Sequence, residues 1–400
     1  MKKNLLILIL AALALQGSTC KDSDFVFPGN IDSISDAALI DCDAYLDEKS
    51  HSHTCLLLTN PFKKSLRIFD VTDNQFVLAP IGYFPLAVTV GQIPMRIATL
   101  PQLNPGQAFV LDTEPGKIFP VTTKYTGEIP SFTSPKASDG IDVPAGSQHI
   151  ALAKSGDMLW AFAASSGTEI QAIPLHPETA SIQFSASSTI NMLLADADSK
   201  FLWVATDKGI DVFDAHSMSG HLISSAKTEA PVAKVVVGKI IINQKEETVV
   251  LALLKNQKKA LLFKFAENKL SYLGEVTLAG IPMAGYIPEG VRENCCNNNP
   301  EPWAAVLTDS GELQYLNLQA ISEDRKDKDG KKENKIGATV LLSEKAGVAL
   351  SKTANPVAII GASQKEANNA AQRKMFLIYS NLILSLNEGS EIPIKRIDGN

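Results

Sequence analysis

Residues 201–215 read FLWVATDKGIDVFDA, and this stretch sets the architecture. Phe201 to Ala205 are apolar, Asp207, Lys208 and Gly209 interrupt the run, and Ile210, Val212 and Phe213 resume it around Asp211. Two apolar segments about a short polar turn read as a β-hairpin. The pattern recurs before it as CLLLTNPFKKSLRIFDV (55–71), AFVLDTEPGKIFPVT (108–122) and MLWAFAASSGTEIQAIPL (158–175). After it come VVLALLKNQKKALLFKF (249–265), AAVLTDSGELQYLNL (304–318) and MFLIYSNLILSLNEG (375–389).

The turns are marked by Lys64, Gly116, Gly167, Gly209, Lys258, Gly311 and Asn381. Successive markers lie roughly 42–53 residues apart, the spacing of propeller blades. Only the last step is longer, because it holds two polar insertions, SEDRKDKDGKKENK (322–335) and ASQKEANNAAQRK (362–374). The first of these has the mixed charge and low apolar content of a solvated loop. Its Asp327, Asp329 and Gly330 resemble part of a calcium loop, but Arg325 and Ile336 occupy the outer ligand positions. The spacing predicts an all-β chain forming a seven-bladed β-propeller of four-stranded antiparallel blades over residues 31–400. Runs such as Leu56-Leu57-Leu58 and Ile240-Ile241-Ile242 fit strands covered on both faces, since half-exposed strands alternate. The ring is expected to close by pairing one terminal segment with the sheet of the other, Ile31 to Ile34 and Ile392 to Ile397 being the candidates.

A second repeat supports the period. VTVGQIPM (88–95) aligns without a gap on VTLAGIPM (276–283), 188 residues or four blades of 47 later. VTVGQIPMRIA (88–98) also resembles the linker and inner strand of YVTN-type propeller repeats. That resemblance implies the same fold; the Pro-Asp-Gly turn and the YVTN tetrapeptide of the family are missing here.

The N-terminus addresses compartment. Lys2 and Lys3 precede an apolar run from Leu5 to Leu15, then Gln16-Gly17-Ser18-Thr19-Cys20, the layout of a secretory signal over 1–19. Small residues before Cys20 resemble the lipobox of bacterial lipoproteins, with Gly17 where leucine is usual. The resemblance implies acylation of Cys20, a flexible tether over 20–30 and membrane attachment by lipid. Lys21, where aspartate would signal inner-membrane retention, implies the outer membrane. Ordinary cleavage to a soluble periplasmic or secreted form is the alternative.

Removing Lys2 and Lys3 takes the formal charge from −6 to −8, which argues against nucleic acid as a partner. Four cysteines remain beyond Cys20. Cys42 and Cys55 are expected to face each other across the first hairpin, whose loop is read over DEKSHSH (47–53). Cys295 and Cys296 are then left as a vicinal bridge or two thiols.

Catalytic motifs are absent: there is no nucleophile elbow, P-loop or His-Glu-x-x-His. His51 and His53 form an alternating pair best read as a solvated turn, so neither a metal nor another cofactor is expected. Aligning the inner strands on Ile97, Ile150, Leu193 and Ile240 places Arg96, His149, Met192 and Lys239 at one rim of the channel. Arg96, His149 and Lys239 are the candidate ligand contacts there, attractive to an anionic partner. Trp160 and Trp203 read as packing between blades. The expected function is a non-catalytic binding or scaffolding module with a protein partner in the envelope. Two alternatives stay open: a propeller enzyme of the lactonase or quinone-dependent dehydrogenase type, and an outer-membrane assembly factor.

Overall fold

The computed structural model describes residues 33–46, 49–71, 75–76, 87–100, 107–126, 129–132, 134–175, 179–196, 198–242, 245–288, 303–318, 338–341, 355–362, 374–387 and 395–396. Cys20, Cys295, Cys296, the tether and the insertion 322–335 lie outside them, as does most of 362–374.

Strands follow the chain blade by blade. Blade 1 is β1 (Asp36–Leu46), β2 (Lys49–Asn60) and β3 (Ser65–Asp70), with β4 (Gln75–Phe76) and β5 (Ala87–Thr89) sharing its outer edge. Blade 2 is β6 (Pro94–Thr99), β7 (Gln107–Asp112) and β8 (Lys117–Thr126), edged by β9 (Ile129–Phe132) and β10 (Ile141–Asp142). Blade 3 runs β11 (His149–Ser155), β12 (Met158–Ala164), β13 (Glu169–Pro174), β14 (Ile182–Ser185). Blade 4 runs β15 (Ile190–Ala195), β16 (Phe201–Thr206), β17 (Gly209–Asp214), β18 (Leu222–Lys227). Blade 5 runs β19 (Val232–Ile242), β20 (Lys245–Leu254), β21 (Lys259–Ala266), β22 (Lys269–Thr277). Blade 6 runs β23 (Pro282–Tyr286), β24 (Trp303–Thr308), β25 (Leu313–Asn317), β26 (Ala338–Leu341). Blade 7 runs β27 (Pro356–Ala362), β28 (Lys374–Tyr379), β29 (Leu382–Asn387), β30 (Lys395–Arg396). All seven sheets are antiparallel, and the seven hairpins read from the sequence are the second and third strands of the seven blades.

Stacking explains the continuous apolar runs. Within β2, Cys55 and Leu57 pack against Ile97, Val110 and Phe119 of blade 2. Their neighbours Leu56 and Leu58 point the other way, onto Phe376, Ile378 and Ile383 of blade 7. In β20, Val249, Leu251 and Leu253 face blade 6, whereas Val250, Ala252 and Leu254 face blade 4. Successive side chains on a strand point to opposite faces, so a strand between two blades must be apolar at every position. Burial here is one apolar cluster per blade interface among the described residues. Trp160 and Trp203 belong to the interfaces between blades 3 and 4 and between blades 4 and 5.

Of the segments expected to close the ring, residues 31–32, 392–394 and 397 lie outside the described residues, and the described residues show no strand shared between blades 7 and 1. Among the described residues β1 pairs with β2 and β30 with β29, each inside its own blade. Blades 7 and 1 meet through side chains, with Phe69 edge-on to Phe376 at 6.4 Å between ring centroids. The Ile34 N–H donates to the Ser380 carbonyl at 2.8 Å across the same seam. Among the described residues, buried apolar area and this hydrogen bond hold the seam.

The 88–95 and 276–283 repeat has a local cause. In blade 2 the buried Asp112 carboxylate accepts from the N–H groups of Gln92 and Ile93, both at 2.7 Å. Gly91 stands at φ +57°, and a Cβ there would lie 2.0 Å from Asp112 Oδ2. In blade 6 Asp309 Oδ1 accepts from Ile281 N–H at 2.8 Å beside Gly280. The repeated isoleucine and proline thus follow a linker capped by an aspartate from the neighbouring turn, its glycine standing one position later in the second copy, and the pair recurs four blades apart as the spacing required.

Candidate functional site: the channel mouth

The first strands of the blades surround a central channel, and at one end it opens into a cavity of about 410 Å³. Five of these strands begin with a register shift: between Pro94 and Arg96, Ile190 and Met192, Val232 and Lys234, Pro282 and Ala284, and Pro356 and Ala358. A bulge re-aims the side chains beside it. Arg96, Met192, Lys234, Ala284 and Ala358 are therefore equivalent positions, each just past its bulge. Blades 1 and 3 contribute Asp36 and His149 to the same cavity.

The ionisable groups form a collar tied to neighbouring blades. Asp36 Oδ2 accepts the Ile97 N–H at 3.0 Å. The Arg96 guanidinium reaches both ways, to the Ser35 carbonyl of blade 1 at 3.3 Å and the Gln148 carbonyl before blade 3 at 3.4 Å. The Lys234 ammonium crosses to blade 7 and donates to the Val357 carbonyl at 2.9 Å. Asn191 completes the polar edge, donating to Asp207 and to the Val232 carbonyl.

Burial governs their protonation. Loss of hydration pushes the Asp36 carboxyl above its ordinary range, opposed by Arg96, by the Ile97 N–H and by Lys234. The same desolvation, with Arg96 adding to it, lowers His149 to about 4, so its imidazole is neutral at pH 7. Lys234 is lowered to about 8, again chiefly by burial, with Asp36 working against the shift and Arg96 adding to it. At pH 7 Arg96 and Lys234 are cations, and an ionised Asp36 offsets one of them.

Of the three expected rim contacts, Arg96 and His149 meet at this mouth and Lys239 does not. Lys239 lies five residues further along β19, at a second cavity of about 400 Å³ lined by Asp196, Asp198 and Trp203. It donates to Asp198 Oδ2 at 2.6 Å, a bond that raises the lysine and lowers the aspartate. The error has a geometric source: β19 is 11 residues long and β6 only 6, so aligning on Ile240 started from the wrong end of the strand. Lys234 takes the place assigned to Lys239. The signal was the proline opening the inner strands, since Pro94-Met95-Arg96 parallels Pro231-Val232-Ala233-Lys234 with one residue added. Asp36 had no such marker, because no proline opens β1.

Two other expectations change. β2 begins at Lys49, so His51 and His53 lie in a strand opposite Ala44 and Cys42, and the loop read over 47–53 is much shorter. Cys55 stands opposite Ile40, two positions out of step with Cys42, and is a buried free thiol. The direct facing expected of that pair does not occur. No group of three or more His, Cys, Asp or Glu among the described residues is placed to hold a metal.

No family model matches the chain, and no curated protein matches it either. Solved structures do. Hsv2 of Kluyveromyces lactis superposes with a TM-score of 0.52 at 13% identity, covering 91% of this chain and 98% of that one. Dihydro-heme d1 dehydrogenase NirN, solved in complex with DHE, gives a TM-score of 0.50 at 11% identity over 90% of this chain. This chain spans 66% of NirN's length. The shared feature is the fold. The chain is a seven-bladed β-propeller. At such identities the likeness reaches no further than the propeller itself.

Proposed function

We propose that this propeller is a non-catalytic binding scaffold of a bacterial envelope, exported by the signal over 1–19 and anchored in the outer membrane through acylated Cys20. The observation that carries the binding reading is the collar: Asp36, Arg96, His149 and Lys234 converge from four blades onto one cavity on rigid inner strands. Groups held by strands are preorganised, which lowers the entropic cost of recognition. The anchor and its address rest on the resemblance of Gly17 to Cys20 to a lipobox and on Lys21 after it. The likeness of 88–98 to YVTN-type repeats adds a propeller family in keeping with an exported chain.

Fractionation and capture test this together. Wild-type chain should take up radiolabelled palmitate and sediment with outer membranes, whereas Cys20→Ala should carry no label and move to the soluble periplasm. Capture from detergent-solubilised envelope should return a ligand or protein that an Arg96→Ala/Lys234→Ala variant loses. Unlabelled, soluble wild-type chain sinks the anchor, and retention by the double variant sinks the collar as the binding site.

A further inference from the structure

The channel mouth is chemically two-layered. Polar side chains occupy its collar: Asp36, Arg96, His149, Asn191 and Lys234. Below them the lining side chains are apolar apart from Thr99, with the partly exposed Leu194, Val236, Val357 and Ile360 representative. The collar holds two cations against one carboxylate, so one positive charge is in excess when Asp36 is ionised.

Both cations keep donors in reserve. A guanidinium offers five N–H groups and an ammonium three. Arg96 engages two acceptors, at 3.3 and 3.4 Å, and Lys234 engages one. Neither makes a further hydrogen bond among the described residues, although the Asp36 charge lies near both. Each is partly buried, and away from bulk water a charge-assisted hydrogen bond is stronger and an unmatched charge more costly. An acceptor bearing one negative charge would use the spare donors and cancel the excess. A cavity of about 410 Å³ is of small-molecule size.

We propose that the channel binds a small monocarboxylate with an apolar body, its carboxylate held by Arg96 and Lys234 at the collar and its hydrocarbon in the apolar shaft. This rests on the binding-scaffold reading and adds the ligand's chemistry to it. A carboxylate suits the charge excess better than a phosphate dianion, and the apolar shaft excludes a fully hydrated ion. Asp36 sets the charge count, and the neutral His149 adds none at pH 7.

Titration calorimetry on the purified full chain at pH 7 tests the proposal with octanoate as probe, octanol as its uncharged counterpart and inorganic phosphate as an ion without a body. Octanoate should bind saturably at one site, at least about tenfold more tightly than either control. Arg96→Met and Lys234→Met should each weaken octanoate about tenfold, near 1.4 kcal/mol, while leaving octanol unchanged. Raising the pH from 7 to 9.5 should weaken octanoate in the wild type as Lys234 loses its proton, and should not in Lys234→Met. The groups facing Lys234 in the cavity are Asp36, Arg96 and His149; β15 and β27 carry none that titrate, and Tyr286 of β23 is not among the lining residues. If a variant does not fold, the octanoate-to-octanol ratio and the wild-type pH profile decide alone. Equal affinity for octanoate and octanol overturns the proposal, as does phosphate binding more tightly than octanoate. Loss of octanoate binding while envelope capture remains collar-dependent would overturn this ligand class and leave the scaffold reading standing.

Discussion

Arg96 and Lys234 do similar jobs from different blades, yet only one was legible in the sequence. Arg96 sits two residues after a proline in a strand of ordinary length, so pattern and position coincide. Lys234 sits in a strand nearly twice as long, where a later apolar triplet attracts the alignment. Protonation was not legible at all, because it depends on neighbours 50 to 200 residues away. His149 provides the sharpest consequence. Its folded-state pKa of about 4 lies below the ordinary 6.5, so the folded state resists a proton that the unfolded state accepts. Between about pH 6.5 and 4 the unfolded chain therefore gains protons preferentially, and folding is destabilised progressively as pH falls. Above 6.5 both states are neutral and nothing is lost. Asp36 shifts upward and so works in the opposite sense at acid pH. The comparison must therefore be by difference. Relative to His149→Gln, the wild type should lose about 1–3 kcal/mol between pH 7 and 4, read from urea unfolding at each pH. Parallel pH profiles for the two proteins would dismiss His149 as the source.

At the scale of strands, hairpins were the most readable feature. An apolar run, a turn and a second run depend on local chemistry alone, and all seven appear where the spacing put them. Register was less readable, since it is fixed by how both faces of β2 pack. The Leu56 to Leu58 run gives no alternation from which to choose a partner, and the true pairing sets Cys55 against Ile40 rather than Cys42. A diagonal offset of two residues puts cross-strand side chains about 7–8 Å apart, beyond easy bridging. Cys55 is instead enclosed in the interface between blades 1 and 2. It should resist iodoacetamide in the native protein and react once about 6 M urea unfolds it, as followed by mass spectrometry. Its recovery in a non-reducing digest as a peptide joined to Cys42 would show that the register slips.

Whole-molecule closure was the least legible property, because it depends on contacts between the two ends of the sequence. Six of the seven blade interfaces are crossed by the chain itself. The seventh, between blades 7 and 1, is held by Leu56, Leu58, Phe69, Phe376 and their neighbours together with the Ile34 to Ser380 hydrogen bond. Phe376 is fully buried there. Truncating a buried phenylalanine to alanine typically costs about 3–5 kcal/mol. In Phe376→Ala that loss falls on the seam with no covalent link. Hydrogen exchange should accelerate in β2 and β28 well before it does in β16 of blade 4. Uniform acceleration around the ring would mean that the seam is no weaker than any other interface.

Because no described blade borrows a strand from the distant terminus, each can be completed as soon as its own stretch of about 50 residues has emerged during synthesis. At about 5–20 residues per second, a blade's worth of chain appears every few seconds. Blade 1 would then spend the interval with Leu56, Leu58 and Phe69 uncovered, until Phe376 arrives last. The exposed face of the first blade is thus the price of assembling a ring in order. It is the surface on which a nascent copy of this chain is most open to capture by a chaperone or by another copy of itself.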